Sequence, residues 1–190
     1  MKIQFAFISF VFAINSFAFT CPKKMKMGWE DAPPYQFKEG NIVKGSDVEI
    51  FDLIMNELKC PSTKEEIPWN RHLKELEMGR VEVAGGSSVS DERKKFAYFS
   101  KSYAEEALFL LILQSDSSKY KFKNVEEVAK SGIILGGKAG SFLGDDFEQL
   151  IKDGVIVKGK NFLEGQDDNQ VDELLLTGRI KGILLAEIPL

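Results

Sequence analysis

One short run of the chain, GSSVSDER at 86–93, combines the residue types that bind small anions. Ser88 carries a hydroxyl, Gly86 lets a ligand approach the backbone closely, and Arg93 offers a planar pair of N–H donors. A guanidinium binds a carboxylate through paired, charge-assisted hydrogen bonds that fix both energy and orientation. The run therefore predicts a site for a ligand with a carboxylate group. The alternative is a salt bridge of Arg93 with a neighbouring acidic side chain on a solvated turn.

A second candidate group lies in the run KAGSFLG at 138–144. Gly140 and Ser141 are predicted to open a helix, and free N–H groups at a helix N-terminus attract anions. Lys138 and Phe142 flank this turn. It is expected to form a second half of the site, and a plain N-cap would use the same residues.

The elements that must position these residues alternate between strand and helix. Strands are predicted at 24–29, 64–67, 81–84, 107–113, 133–135, 155–157 and 182–185, and helices at 46–58, 70–79, 125–130, 141–152 and 169–176. Such alternation predicts an α/β fold with a mostly parallel sheet and helices on both faces. The apolar run at 107–113 is expected to be a strand buried on both faces. The polar stretch that follows it divides the chain into two predicted lobes, 21–113 and 114–190, with a cleft between them.

The N-terminus predicts export. Lys2 precedes an apolar stretch, and Ser16 and Ala18 supply the small residues of a cleavage site, so residues 1–18 are identified as a signal peptide. An uncleaved anchor is the alternative, and Cys21 raises the question of a lipoprotein anchor, although the residues before it make a poor lipobox.

The two cysteines, Cys21 and Cys60, are predicted to form a disulfide, because an exported chain folds in an oxidising compartment. Free or metal-bound thiols are the alternative. The cysteines and His72 lack the close spacing of metal ligands, so no metal or other cofactor is predicted. His72 itself is expected on an exposed helix face. A net charge of −4 without a basic run argues against nucleic acid as a partner.

The ordered succession from Pro68 to Tyr103 resembles the core signature of the extracellular solute-binding proteins of family 3: amphipathic helix, apolar strand, Gly/Ser turn, Glu92-Arg93 and an aromatic step. The resemblance implies a two-lobed, type II periplasmic binding protein fold. It also implies ligand-binding roles for residues from both lobes: Tyr35, Trp69, Gly86, Ser88, Arg93, Lys138, Ser141, Phe142 and Glu187.

Within that set the resemblance implies distinct roles. Arg93 would grip the α-carboxylate of an amino acid, Tyr35 and Trp69 would sandwich its side chain, and Glu187 would take its α-ammonium group. The alternatives are core packing for Tyr35 and Trp69 and a solvated carboxylate for Glu187. Phe99 is expected in the core.

The function implied is that of a periplasmic, monomeric binding protein that captures a small polar solute for an ABC permease, without catalytic residues. Two alternatives stay open: a cyclohexadienyl dehydratase-like enzyme, for which Glu30 or Glu187 would be the general acid, and a ligand-sensing module on the same fold. Family members continue past the last predicted strand, whereas this chain ends at Leu190. The second lobe and the return to the first are therefore expected to be incomplete.

Overall fold

The computed structural model describes residue 21 and residues 23–188, so the predicted signal peptide lies outside the described residues. The first part of the chain contains β1 (Met25–Trp29), β2 (Phe37–Glu39), β3 (Ile42–Lys44), α1 (Ser46–Glu57), β4 (Ser62–Glu66), α2 (Trp69–Glu77), β5 (Val83–Ala84) and a 3₁₀ helix (Arg93–Lys95). The second contains β6 (Ala107–Leu111), a 3₁₀ helix (Gln114–Asp116), α3 (Val125–Lys130), β7 (Leu135–Lys138), α4 (Asp145–Lys152), β8 (Phe162–Gly165), α5 (Asp168–Leu176) and β9 (Gly182–Glu187). This alternation confirms the predicted α/β class.

The first sheet has the strand order β4-β1-β5, and both pairings are parallel. Helix α1 packs its apolar stripe against β1, where Val48, Phe51 and Met55 surround the fully buried Met27. Spacings of three, four and seven residues place these helical side chains on one face. Lobe 1 is the name used below for residues 21–106, which contain this sheet.

The second sheet has the order β6-β9-β7-β8, with β7 parallel to both of its neighbours and β6 antiparallel to β9. Helices α3 and α4 bury Val128, Phe147 and Leu150 against one face, and α5 buries Val171 and Leu175 in a separate cluster. The middle strands are therefore covered on both faces, as is usual for parallel sheets. Lobe 2 is the name used below for residues 107–188.

Strand β6 differs from its prediction in two ways. It lies at the edge of the second sheet, and Leu108, Phe109 and Leu111 are 37%, 44% and 50% exposed, so it is not buried on both faces. It also pairs with β9, so the chain enters the second sheet at Ala107, ahead of the predicted lobe boundary at 113/114. An apolar run shows that a strand is plausible but does not distinguish an edge from a centre, because that depends on distant partners.

The predicted strand at 155–157 is wrong as well. Val155 and Val157 lie in a turn, where the Asn161 side chain donates to the Val155 carbonyl and accepts from the Val157 N–H. The strand forms instead at β8, directly after that turn. Local side-chain bonding of asparagine to the backbone competes with strand pairing, and here it prevails.

The predicted disulfide joins Cys21 to Cys60, with Cα atoms 5.4 Å apart. It connects the segment before β1 to the segment after α1, and Cys60 belongs to the same buried cluster as Met27. The bridge therefore closes a loop around the strand and helix that form the core of lobe 1. Among the described residues, no helix combines the length and the apolar composition that a bilayer crossing needs.

Reduction of this disulfide should lower the free energy of unfolding by about 3 kcal/mol, because the cross-link restricts the unfolded chain. Urea unfolding of the protein without residues 1–18, with and without dithiothreitol, measures the difference. The double variant Cys21→Ser/Cys60→Ser is the control and should be insensitive to the reductant. Equal midpoints for the oxidised and reduced wild type would contradict the prediction.

Candidate ligand-binding site

A cleft of about 960 Å³ lies between the two sheets. The carboxyl ends of their parallel strands meet there: β1 ends next to Glu30, β5 leads into Gly86, and β7 ends at Lys138. Open α/β sheets place ligand sites at this edge, because loops diverge there and leave a crevice. All nine residues predicted to bind ligand line this cleft: Tyr35, Trp69, Gly86, Ser88, Arg93, Lys138, Ser141, Phe142 and Glu187.

Arg93 is almost completely buried, with 7% of its surface exposed. Its Nη1 donates to the Ser87 hydroxyl at 3.2 Å and to the Ser88 carbonyl at 2.7 Å, and its Nη2 donates to the Gly140 carbonyl of lobe 2 at 3.0 Å. Burial lowers the pKa of Arg93, and the negative charges of Glu106 and Glu148 oppose that shift. Arginine has five N–H donors, so two remain without a partner among the described residues.

The alternative considered for Arg93, a salt bridge with a neighbouring acidic side chain, is not formed. Asp91 and Glu92 pair instead with Lys94 and Lys95 on the surface of the turn. The guanidinium points the other way, towards the cleft, with its carbon 5.4 Å from the centre of the Trp69 ring. A cation over an indole face is an attractive arrangement, and it orients both groups.

Trp69 connects the two lobes from the start of α2. Its indole N–H donates to the Gly140 carbonyl at 3.1 Å, and its backbone N–H donates to Glu30 Oε2 at 2.7 Å. The edge of its ring meets His72 in a T-shaped contact with centroids 5.6 Å apart. These contacts with Gly140, Glu30 and His72 fix the position of the indole ring, which lines the cleft and is not part of the core.

His72 is 1% exposed, so its predicted place on an exposed helix face is wrong. Its Nε2 lies 3.2 Å from the Val83 carbonyl, and its ring packs on Gly28 of β1. A Cβ at position 28 would lie 2.5 Å from the imidazole, so glycine is what makes room for the ring. The polarity of histidine predicts a solvent-exposed position on an amphipathic helix. The hydrogen bond with the Val83 carbonyl allows His72 to be buried instead.

Two more contacts cross the cleft. Lys138 of lobe 2 pairs with Glu30 of lobe 1 at 2.5 Å and with Asp168 of its own lobe at 3.2 Å. The Tyr35 hydroxyl donates to Glu187 Oε2 at 3.3 Å. Burial lowers the pKa of Lys138, but the hydrogen bond and charge of Glu30 outweigh it, so the net pKa is raised.

The predicted helix start at Ser141 is wrong. Helix α4 begins at Asp145 and Gly144 is its N-cap, so residues 139–144 form a loop. What Gly140 presents to lobe 1 is a carbonyl acceptor and not a free N–H donor. Phe142 and Ser141 still line the cleft from this loop. Phe99, predicted in the core, is partly exposed and lines the cleft too.

Three functional candidates were missed by sequence reasoning: Asp47, Tyr103 and Glu106. The Asp47 carboxylate is 4% exposed and accepts from the Tyr103 hydroxyl at 2.9 Å and from the Gln36 amide at 3.0 Å. The Tyr103 oxygen in turn accepts from the Gly86 N–H at 2.7 Å. Burial, aided by the charges of Asp47 and Glu106, raises the pKa of Tyr103 to about 12.

Glu106 accepts a hydrogen bond from the Ser88 hydroxyl at 2.5 Å, on the same wall of the cleft. None of these contacts has a local sequence signal, because Asp47 and Tyr103 are far apart along the chain. Gly86 adopts a φ of +64°, which places its N–H towards Tyr103 and favours glycine at this turn.

Comparisons with known proteins agree with this geometry. Residues 25–184 match the bacterial extracellular solute-binding proteins, family 3. Among solved structures, an ancestral arginine-binding protein bound to arginine superposes with a TM-score of 0.69 at 20% identity, covering 88% of this chain and 71% of that one. A substrate-binding protein of an ABC uptake transporter from Streptococcus pneumoniae, with bound histidine, gives 0.67 at 22% identity, with 86% and 66% coverage.

A third similar structure is an ancestral amino acid-binding protein that is a precursor of cyclohexadienyl dehydratase, with a TM-score of 0.66, 20% identity, and coverage of 86% of this chain and 70% of that one. The fold is therefore that of the type II periplasmic binding proteins. Because the match spans most of its length, the chain belongs to the extracellular solute-binding proteins of family 3 and has a solute-binding role.

The burial of His72 predicts a specific dependence of stability on pH. Burial lowers the pKa of His72 below its usual 6.5, and the Val83 carbonyl and Glu30 only partly offset this. The unfolded chain therefore binds a proton that the folded chain does not, so stability is complete above about pH 6.5 and falls as the pH drops towards the folded-state pKa. The slope should not exceed about 1.4 kcal/mol per pH unit, the limit for one proton.

Chemical denaturation at a series of pH values measures this slope. His72 is the only histidine in the chain, so a change in this pH range reports on it. His72→Gln keeps a donor for the Val83 carbonyl and should flatten the profile between pH 6.5 and the onset of carboxylate titration. An unchanged slope in the variant would contradict the assignment.

Proposed function

We propose that the protein binds an amino acid in the cleft between its lobes and delivers it to an ABC permease. The observation that carries the proposal is the buried Arg93 guanidinium at the cleft wall, with two N–H donors still without a partner in the described residues. A guanidinium with free donors, held in a cleft, is suited to a carboxylate because charge-assisted pairs fix orientation. Three similar solved structures are amino acid-binding proteins or carry an amino acid, which supports the same class of ligand.

The remaining parts of an amino acid have candidate partners on the other walls. Glu187 of lobe 2 is a carboxylate that could receive an ammonium group once it exchanges the Tyr35 hydroxyl for it. The faces of Trp69 and Tyr35 offer apolar area for a side chain at little entropy cost. These roles are assigned on position and chemistry: each residue lines the same cleft as Arg93.

The hydrogen-bond partners of Glu30 and Glu187, the two candidate general acids, favour binding over catalysis. Glu30 is held by the Lys138 ammonium and by the Trp69 backbone N–H, and Glu187 accepts from Tyr35. A general acid must deliver its proton to a leaving group. Glu30 in an ion pair is poorly suited to that task. The dehydratase-like activity is therefore not the proposed function, and a ligand-sensing module would use the same binding step.

Ligand capture is proposed to occur by closure of the two lobes in a monomer exported to the periplasm. The contacts of Gly140 with Arg93 and Trp69, and of Lys138 with Glu30, are made between lobes. Contacts of this kind form as a hinge closes and break as it opens. Export is supported by the signal-peptide pattern, by the disulfide and by membership of an extracellular family.

A thermal-shift screen of the mature protein against the common amino acids tests this proposal. At least one should raise the melting temperature, because a ligand that binds only the folded state stabilises it. Arg93→Ala should weaken the binding of that amino acid by about 2 kcal/mol, roughly thirtyfold in Kd, through loss of charged hydrogen bonds. Isothermal calorimetry gives the affinities.

Arg71→Ala is the matched control, because Arg71 lies on the exposed face of α2 and does not line the cleft. It should leave Kd unchanged. Arg93→Lys keeps the positive charge and should bind with intermediate affinity. No stabilising amino acid for the wild type, or equal affinities for Arg93→Ala and Arg71→Ala, would refute the proposal. Circular dichroism of each variant shows whether the fold is intact.

A further inference from the structure

Two hydrogen-bond donors of lobe 1 beside Arg93, the Gly86 N–H and the Ser88 hydroxyl, are already bound to other groups of the protein. The Gly86 N–H donates to the Tyr103 hydroxyl oxygen at 2.7 Å. The Ser88 hydroxyl donates to the Glu106 carboxylate at 2.5 Å. A carboxylate ligand that used Gly86 and Ser88 together with Arg93 would have to displace both partners.

Both partners come from one segment, residues 101–106, which ends lobe 1, leads into β6 and contains no helix or strand. Tyr103 is held in place twice, because its hydroxyl also donates to the buried Asp47. Glu106 is exposed, and its contact with Ser88 is its only hydrogen bond among the described residues. Glu106 is therefore the partner that an incoming ligand can displace at the lower cost.

The charge of Glu106 also reaches Arg93. Burial lowers the pKa of Arg93, and Glu106 is the largest of the charges that raise it again. The Ser88 carbonyl and hydroxyl link the two residues directly, since Arg93 donates to the first and Glu106 accepts from the second. The Glu106 carboxylate therefore competes with a ligand carboxylate for the Ser88 hydroxyl and for the positive charge of Arg93.

We propose that Glu106 determines the charge specificity of the cleft, an inference that rests on the amino acid-binding function proposed above. Its carboxylate occupies the Ser88 hydroxyl in the absence of ligand and is displaced by the ligand α-carboxylate. After displacement it stays beside the cleft as a fixed negative charge. Amino acids with a neutral or cationic side chain are accepted, and those with an acidic side chain are disfavoured.

The physical reason is that displacement by itself is nearly neutral. One hydroxyl–carboxylate hydrogen bond replaces another at Ser88, and the freed Glu106 carboxylate is hydrated because it is exposed. A second carboxylate on the ligand adds a repulsion that a zwitterion does not feel. A tenfold difference in affinity corresponds to about 1.4 kcal/mol, which repulsion between two charges a few ångströms apart can supply even when one of them is hydrated.

Glutamine and glutamate form the matched probe pair, because they have the same shape and differ by one charge. Calorimetry of the wild type, Glu106→Gln and Glu105→Gln with both amino acids tests the proposal. Glu105→Gln is the control because it removes one negative charge from the residue next to Glu106. The Glu105 side chain does not line the cleft and makes no hydrogen bond among the described residues. Relative to Glu105→Gln, Glu106→Gln should bind glutamate about tenfold more tightly, with a smaller gain for glutamine.

The outcomes separate this inference from the proposed function. If the wild type binds an amino acid but Glu106→Gln gains no affinity for glutamate over Glu105→Gln, the role of Glu106 is refuted and the proposed function stands. A loss of affinity in Glu106→Gln also refutes it, because that would make Glu106 a contact for the ligand ammonium group. If only Glu106→Gln binds glutamate, the proposal is supported. If none of the three proteins binds any of the common amino acids, both proposals fail.

Discussion

The structure depends above all on the burial of one arginine. A guanidinium removed from water must keep its hydrogen bonds, because an unpaired buried charge costs several kcal/mol. Arg93 meets this requirement with acceptors from both lobes, Ser87 and Ser88 on one side and the Gly140 carbonyl on the other. Trp69 covers its face and donates to the same carbonyl. The relative placement of the lobes is therefore tied to the residue that is proposed to bind the ligand.

Strand direction explains why so many polar groups meet at this point. Parallel strands bring their carboxyl ends to one edge of a sheet, and in this protein two such edges face each other across the cleft. Glu30 and Lys138 leave their strands at opposing edges and pair across the gap. Such pairs gain strength from partial burial, but they are exchangeable, which suits a site that must open and close.

Several polar groups of the cleft are hydrogen-bonded to one another, and a ligand has to replace some of these bonds. Gly86, Ser88 and Glu187 are each already hydrogen-bonded to a group from elsewhere in the chain. At these three positions binding is an exchange of partners, whereas Arg93 still offers two N–H donors without a partner among the described residues. Affinity depends on the difference between two sets of hydrogen bonds, and the groups being displaced take part in selecting the ligand.

The sequence by itself determined the α/β class, the Cys21–Cys60 pairing and helix α3, and it identified nine of the residues that line the cleft. The fold class and helix follow from local periodicity, the pairing follows from cysteine count and compartment, and the site residues follow from the resemblance to family 3 together with the rule that ligands bind after strand ends. Only the tertiary structure decided that β6 is an edge strand, that His72 is buried, and that Glu106 contacts Ser88. Each of these depends on partners distant along the chain, and no local pattern encodes which distant groups the fold brings together.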